Sequence, residues 1–233
     1  RNRNRLLMTI LDKGMEITNC DASILYLYEH EALHVKYMKT LSKGISRGMN
    51  GEVIDLPPVS MKEENACCYA AIHRKVVNIP DVYADGQFDA SAVRQYEEMI
   101  GCCTQSQFLV PLVNNENELI GVLQLINAMD GEGNVIPFHK EYEMIVRALG
   151  SIAAIELTNL SYVEALKAQI YSFMEALTTA LEERTPYNAL HTRNVEKYAR
   201  LLADYIIKLQ KEGKCRQIFD PAQKEQLMLA ALI

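Results

Sequence analysis

A chain of 233 residues, 49% of them hydrophobic, is long enough for one well-packed domain and part of a second. The net charge of −6 argues against a basic nucleic-acid-binding face, so no nucleic-acid partner is expected. No run of about 18 apolar residues appears, so the expectation is that no segment of this chain spans a membrane.

The opening "RNRNRLLMTI" does not begin with Met and lacks the apolar stretch of a signal peptide, and it reads as a cut into a longer, cytoplasmic protein. Leu6, Leu7, Ile10, Leu11, Met15 and Ile17 then form a helical stripe over 5–18. "ASILYLYEHEALHVKYMKT" alternates like two strands joined at Glu29–Glu31. The Gly- and Pro-rich "GISRGMNGEVIDLPPVS" reads as a loop with one short strand, and helical spacing returns at 62–73. "KVVNIPDVYAD" is strand-like, a helix is expected over 89–99, and "SQFLVPLVN" and "NELIGVLQLINA" form a hairpin near the centre of a sheet.

From about residue 138 the pattern changes. Ile145, Leu149, Ile152, Leu160, Val163, Leu166, Ile170, Phe173, Leu177 and Leu181 recur mostly at three- and four-residue steps, far beyond the usual helix length. A stripe this long predicts a connector packed against its twin in a parallel homodimer. The alternative is two ordinary helices meeting near Asn159–Ser161. A further helix is expected over 188–211, and another after Asp220 as N-cap with Pro221 at its first position.

Six cysteines include the adjacent pairs Cys67–Cys68 and Cys102–Cys103, without zinc or disulfide-framework spacing, which reads as reduced cytosolic thiols. They admit two readings, a redox switch of exposed low-pKa thiols or small core hydrophobes, and the core reading is preferred.

The motifs "VVNIPDVYAD" (76–85), "GCCTQSQFLVPL" (101–112) and "IGVLQLIN" (120–127) occur in the order and spacing of the GAF domain, which the first 160 residues resemble. The resemblance implies an α+β fold, a six-stranded antiparallel sheet flanked by helices, with a ligand pocket under its loops. Of the Asn-Lys…Phe…Asp-Glu signature found in many cyclic-nucleotide members, Asn127, Phe138 and Glu143 match, whereas Ala128 and Tyr142 replace the ion pair. Aligned on these motifs, Ser23, Ala66, Cys67, Glu97, Thr104 and Gln124 fall at ligand-touching positions; the alternative is a set of polar residues around an empty or water-filled cavity. The small-molecule ligand itself is not specified.

"LEERTPYNALHTRNVEKYARLLADYI" and "LMLAALI" resemble the beginning of an HD-type phosphohydrolase, closest to the HD-GYP class. The resemblance implies a division into a GAF sensor domain at 1–158, a connector helix at 159–184, and at 185–233 the N-terminal part of an all-α HD domain, cut before its His-Asp motif. It places His191 at the first ligand position of a divalent iron, manganese or zinc site, a cofactor expected only in the full-length HD domain. Thr185, Leu190 and Asn194 depart from the class pattern at Asp, Gly and Arg positions. The implied function is the sensory portion of a metal-dependent phosphodiesterase of cyclic di-GMP. This fragment carries no complete catalytic set and is expected to be inactive. The competing expectation is a non-catalytic binding or dimerisation module with a degenerate HD part.

Overall fold

The computed structural model describes the backbone of every residue except 1, 49–53, 55, 102, 185–190, 216–220 and 232–233. The side chains of 2–6, 92, 95–96, 99–100, 181–184, 191–193, 221–222, 225, 229 and 231 also lie outside the description. Cys102, the Pro186–Tyr187 turn, the Asp220 cap and the imidazole of His191 are therefore not among the described groups. The chain divides into two compact units, Arg1–Leu160 and Ser161–Ile233.

In the first unit α1 (Asn2–Thr18) leads into β1 (Cys20–Glu29) and β2 (Ala32–Thr40). The two strands are joined by His30 and Glu31, both at positive φ (51° and 60°), as the right-handed twist of a two-residue hairpin requires. Two short strands, β3 (Ile45–Arg47) and β4 (Val59–Ser60), stand where one was expected. The helix α2 (Ala66–His73) begins later than its periodicity implied, because Asn65 caps it through Cys67 N–H and Cys68 N–H. After β5 (Val77–Ile79) the chain leaves the sheet, shortening the expected strand to three residues. It re-enters through α3 (Ser91–Ile100), β6 (Gln107–Val113), β7 (Leu119–Met129) and β8 (Val135–Ile136).

The sheet order is β3-β2-β1-β7-β6-β5 and every pairing is antiparallel. Six strands form this path as expected, but β4 on β2 and β8 on β7 raise the described total to eight. The strands separate two apolar layers. Leu25, Leu27, Phe108, Val110, Leu112, Leu123 and Leu125 face α1 and the first half of α4 (Tyr142–Arg184). Ile24, Tyr26, Leu109, Val122 and Ile126 face α2 and the 80s loop. One irregularity matters: the register slips between Leu25 and Tyr26, which pair with Tyr37 and Val35, leaving Lys36 as the extra residue. That bulge puts Tyr37 in the first layer and Val35 in the second, although two residues apart on a regular strand they would share a face.

Helix α4 lies close to the sheet because the stripe Val146, Gly150, Ala153, Ala154 and Leu157 is buried and mostly small. A Cβ on Gly150 would come within 3.1 Å of Val110 and 3.3 Å of Leu112. Phe138 stacks on Phe108 (centroids 5.5 Å apart) in the same layer. Ala128 is buried there and Tyr142 packs against it, so apolar contact occupies the positions where the family signature carries an ion pair.

Helix α4 passes through Asn159–Ser161 without a break, so the expected connector is one helix and not two meeting there. Over Tyr142–Ala180 it is long and apolar enough, at mean hydropathy 1.2, to cross a membrane by length and composition. The sequence reading missed this. One face of its first half, Val146, Ala153, Ala154 and Leu157, packs on the sheet, while Met144, Ile145 and Ile152 on the same half are exposed.

In the second unit the continuation of α4 exposes Val163, Leu166, Ile170, Phe173 and Leu177. Helices α5 (His191–Lys211) and α6 (Pro221–Ala231) pack together, with Ala203 and Met228 buried and Lys224 Nζ 2.5 Å from Asp204 Oδ1.

Candidate functional site

The second layer of the first unit encloses a cavity of about 240 Å³. Its floor is the sheet, where β1, β6 and β7 present alternate residues. Ile24, Tyr26, Gln107, Gln124 and Ile126 line it because each points away from the α1–α4 face. Leu56, Pro57 and Val59 form one side, Asn65, Ala66 and Cys67 of the α2 turn another, and Val82 to Val93 the rim.

The polar groups have definite partners. Tyr26 Oη donates to Gln124 Oε1 at 2.9 Å. The bond engages Gln124 through its acceptor, leaving the amide N–H2 as the group's donor side. Thr104 is 2% exposed and lines the cavity, and its Oγ1 is buried without a hydrogen-bond partner among the described residues.

Two side chains hold Thr104 in place. Glu97 Oε1 accepts from Thr104 N–H at 2.5 Å, while its Oε2 accepts from Tyr83 Oη at 2.5 Å. From the other side Asn127 Oδ1 accepts from Gln105 N–H (2.7 Å) and Ser106 N–H (3.3 Å), and Asn127 Nδ2 donates to the Cys103 carbonyl (2.7 Å). Asn127 sits at φ 56°, a left-handed conformation that Asn tolerates. The Glu97 carboxylate, first through its hydrogen bond, pushes the exposed Tyr83 phenol above its ordinary value.

At the rim, Asp89 accepts from Ser91 N–H (2.9 Å) and Ser91 Oγ–H (2.6 Å), opening α3. Those bonds, the hydroxyl first, hold its carboxyl below the usual range. The thiols on this side are inert by burial. Cys67 is raised well above the ordinary thiol value and Cys68 is raised as well. On the other layer burial pushes Cys20 to about 11. The described cysteines are free, and Cys103 is exposed.

Of the residues singled out in the sequence, Ala66, Cys67, Thr104 and Gln124 lie together in the cavity wall. Two do not. Ser23 is fully buried, but it precedes Ile24 on β1 and so points to the α1–α4 layer, opposite Leu125. Glu97 stands outside the wall with both oxygens engaged by Thr104 and Tyr83, which makes it a positioning residue. Tyr26, Asn65, Gln107 and Phe88 went unnoticed; for Asn65 the signal was an N-cap residue directly before "ACC", and for Tyr26 and Gln107 the strand parity of Ile24 and Gln124. His191 is the first residue of α5. Among the described residues, which do not include the imidazole of His191, no three His, Cys, Asp or Glu side chains converge on a metal-sized site.

Residues 2–157 match the GAF domain family. The chain belongs to that family. Over 137 residues it is 26% identical to the dual 3',5'-cyclic-AMP and -GMP phosphodiesterase 11A of Takifugu rubripes, a stretch covering 58% of this chain and 14% of that relative. The chain thus spans a small part of that phosphodiesterase. Among solved structures, the blue-light absorbing form of the PixJ GAF domain of Thermosynechococcus elongatus superposes with TM-score 0.53 at 15% identity, covering 74% of this chain and 94% of that one. The second GAF domain of DevS from Mycobacterium smegmatis does so with TM-score 0.50 at 13% identity, covering 70% and 99%. At these identities the likeness is one of fold. The departures noted above at Ala128 and Tyr142 are thus variations within the GAF family that leave its sheet and its cavity in place.

Proposed function

We infer that this chain is the sensory portion of a cytoplasmic signalling protein whose GAF domain binds a small molecule and regulates a metal-dependent HD-GYP-like phosphohydrolase. The observation that carries this reading is α4. One continuous helix begins packed on the GAF sheet and ends at Arg184, where the motif resembling the HD class starts. A ligand that binds two arrangements of the GAF domain unequally biases that helix by the difference in affinity, and by no more. In the full-length protein the substrate is cyclic di-GMP. His191 there contributes one ligand to a divalent iron, manganese or zinc site, a group that supplies an activated water. The exposed stripe Val163 to Leu177 serves a parallel homodimer.

The test is hydrolysis of cyclic di-GMP by the longer protein, with residues 1–233 alone expected to be inactive with any divalent metal. His191→Ala should abolish turnover while leaving the affinity of the GAF cavity unchanged. Hydrolysis that survives His191→Ala overturns the assignment. The departures at Thr185, Leu190 and Asn194 favour a second reading, a degenerate HD part in a purely regulatory module, which predicts no turnover from the longer protein.

A further inference from the structure

One face of α4 repeats at alternating four- and three-residue steps. Ile145, Leu149 and Ile152 begin it, Val163, Leu166 and Ile170 continue it, and the same steps reach Phe173 and Leu177. Such alternation, sustained over many turns, is the seam of a coiled coil. The seam is uncovered, with Ile152 61% exposed and Leu166 58%.

Two polar residues interrupt it. Between Ile152 and Val163 the steps fall on Glu156 and Asn159, both exposed. Glu156 directly precedes Leu157, the last α4 residue in the apolar layer on the sheet. The polar pair therefore marks the place where α4 leaves the GAF core.

The seam itself says what covers it. Val163 and Ile170 put β-branched side chains at the a positions of the seven-residue repeat, and Leu166 puts Leu at d. That choice favours two parallel strands. In such a pair each layer meets its own copy, so Ile152 faces Ile152 and Glu156 faces Glu156. A wholly apolar partner would leave Glu156 and Asn159 against hydrocarbon, at a cost. A second copy answers a polar layer with a polar layer.

Nothing around Glu156 neutralises it. Its neighbours on the same face, at 149, 152, 153, 159, 160 and 163, are Leu, Ile, Ala, Asn, Leu and Val. On the elements packed in the same layer, β6 and β7 carry no charged residue. On α1, Lys13 is paired with Glu16 and Asp12 with Lys39 of β2. Two carboxylates brought together without a cation repel each other.

We propose that Glu156 from each copy meets in one layer of the α4 dimer, a like-charged layer beside Asn159 that keeps the association weak where the helix leaves the sheet. This rests on the reading of the α4 stripe as the interface of a parallel homodimer, and it names the residue that limits its strength. A pair held loosely at that point can be shifted by the small free energy that a sensory ligand supplies.

Charge exchange tests the layer. The 233-residue protein is mixed with its Glu156→Lys variant, one of the two fluorescently labelled, and association is followed by sedimentation. The mixed dimer should form at least about fivefold more tightly than either homodimer, because only it opposes unlike charges. Glu156→Leu should tighten the homodimer at least about tenfold. Glu175→Leu, an equal change at an exposed position off the seam, should leave it unchanged. Ile152→Cys should give a covalent dimer under mild oxidation, beyond any formed by the unchanged protein. A mixed dimer no tighter than the homodimers, equal effects of Glu156→Leu and Glu175→Leu, or no cross-link at Ile152→Cys overturns the proposal and leaves a homodimer standing. Monomers throughout, Glu156→Leu included, at high micromolar concentration would remove the homodimer as well and give that face to another partner.

Discussion

The Asn127 side chain makes three of the bonds that tie the segment carrying Thr104 to the sheet, and removing it should be among the costlier single changes in the GAF domain. Asn127 is 6% exposed and makes two bonds of 2.7 Å, to Gln105 N–H and the Cys103 carbonyl, and a longer one of 3.3 Å to Ser106 N–H. Asn127→Ala loses all three, at about 1 kcal/mol for each short bond and less for the long one. It also forces a Cβ-bearing residue without a bonding side chain to hold φ 56°, which costs about 1 kcal/mol more. The expected loss is about 3 kcal/mol in urea unfolding followed by near-ultraviolet circular dichroism, which follows the tyrosines of this Trp-free chain. Asn127→Gly loses the same bonds without the backbone penalty and should cost about 1 kcal/mol less than Ala, apart from its own chain entropy. A loss below about 1 kcal/mol for Asn127→Ala shows that the bonds do not hold the segment. A Gly variant as damaging as Ala shows that the left-handed backbone plays no part.

Three other outcomes are expected. The Tyr83 phenol, raised by Glu97, keeps its bond fully below the ordinary tyrosine value near 10 and loses it as pH rises through the higher folded value; Glu97→Gln should move one tyrosine to a lower midpoint in an ultraviolet titration, and an unchanged curve refutes the contact. With a disulfide reagent near pH 8, Cys103→Ser should lower the number of rapidly reacting thiols by one while Cys67→Ser leaves it unchanged, since Cys67 is buried and its thiol raised; the reverse would place a reactive thiol in the cavity. Sedimentation should show a dimer that becomes a monomer when Leu166→Glu and Ile170→Glu are combined, and a wild-type monomer at high micromolar concentration would remove the α4 stripe as an interface.

By itself the sequence determined the elements whose patterns are local. The period-two runs of β1, β6 and β7, the stripe of α1 and the long helical signal of α4 are each written in a single segment, and the motifs at 76–85, 101–112 and 120–127 carry the resemblance to the GAF family that the family match bears out. Four of the six pocket positions read by alignment also lie in the cavity wall, because their strands and helix keep the family's order. The two others show where local information stops. Ser23 and Ile24 are neighbours, and only pairing with β7 decides which faces the cavity, since a shift of one residue exchanges the faces. The bulge at Lys36 does the same to Val35 and Tyr37 with no mark in composition. Glu97 has the acceptor oxygens a ligand contact would use, but Thr104 N–H and Tyr83 Oη–H reach them first, seven and fourteen residues away in the chain.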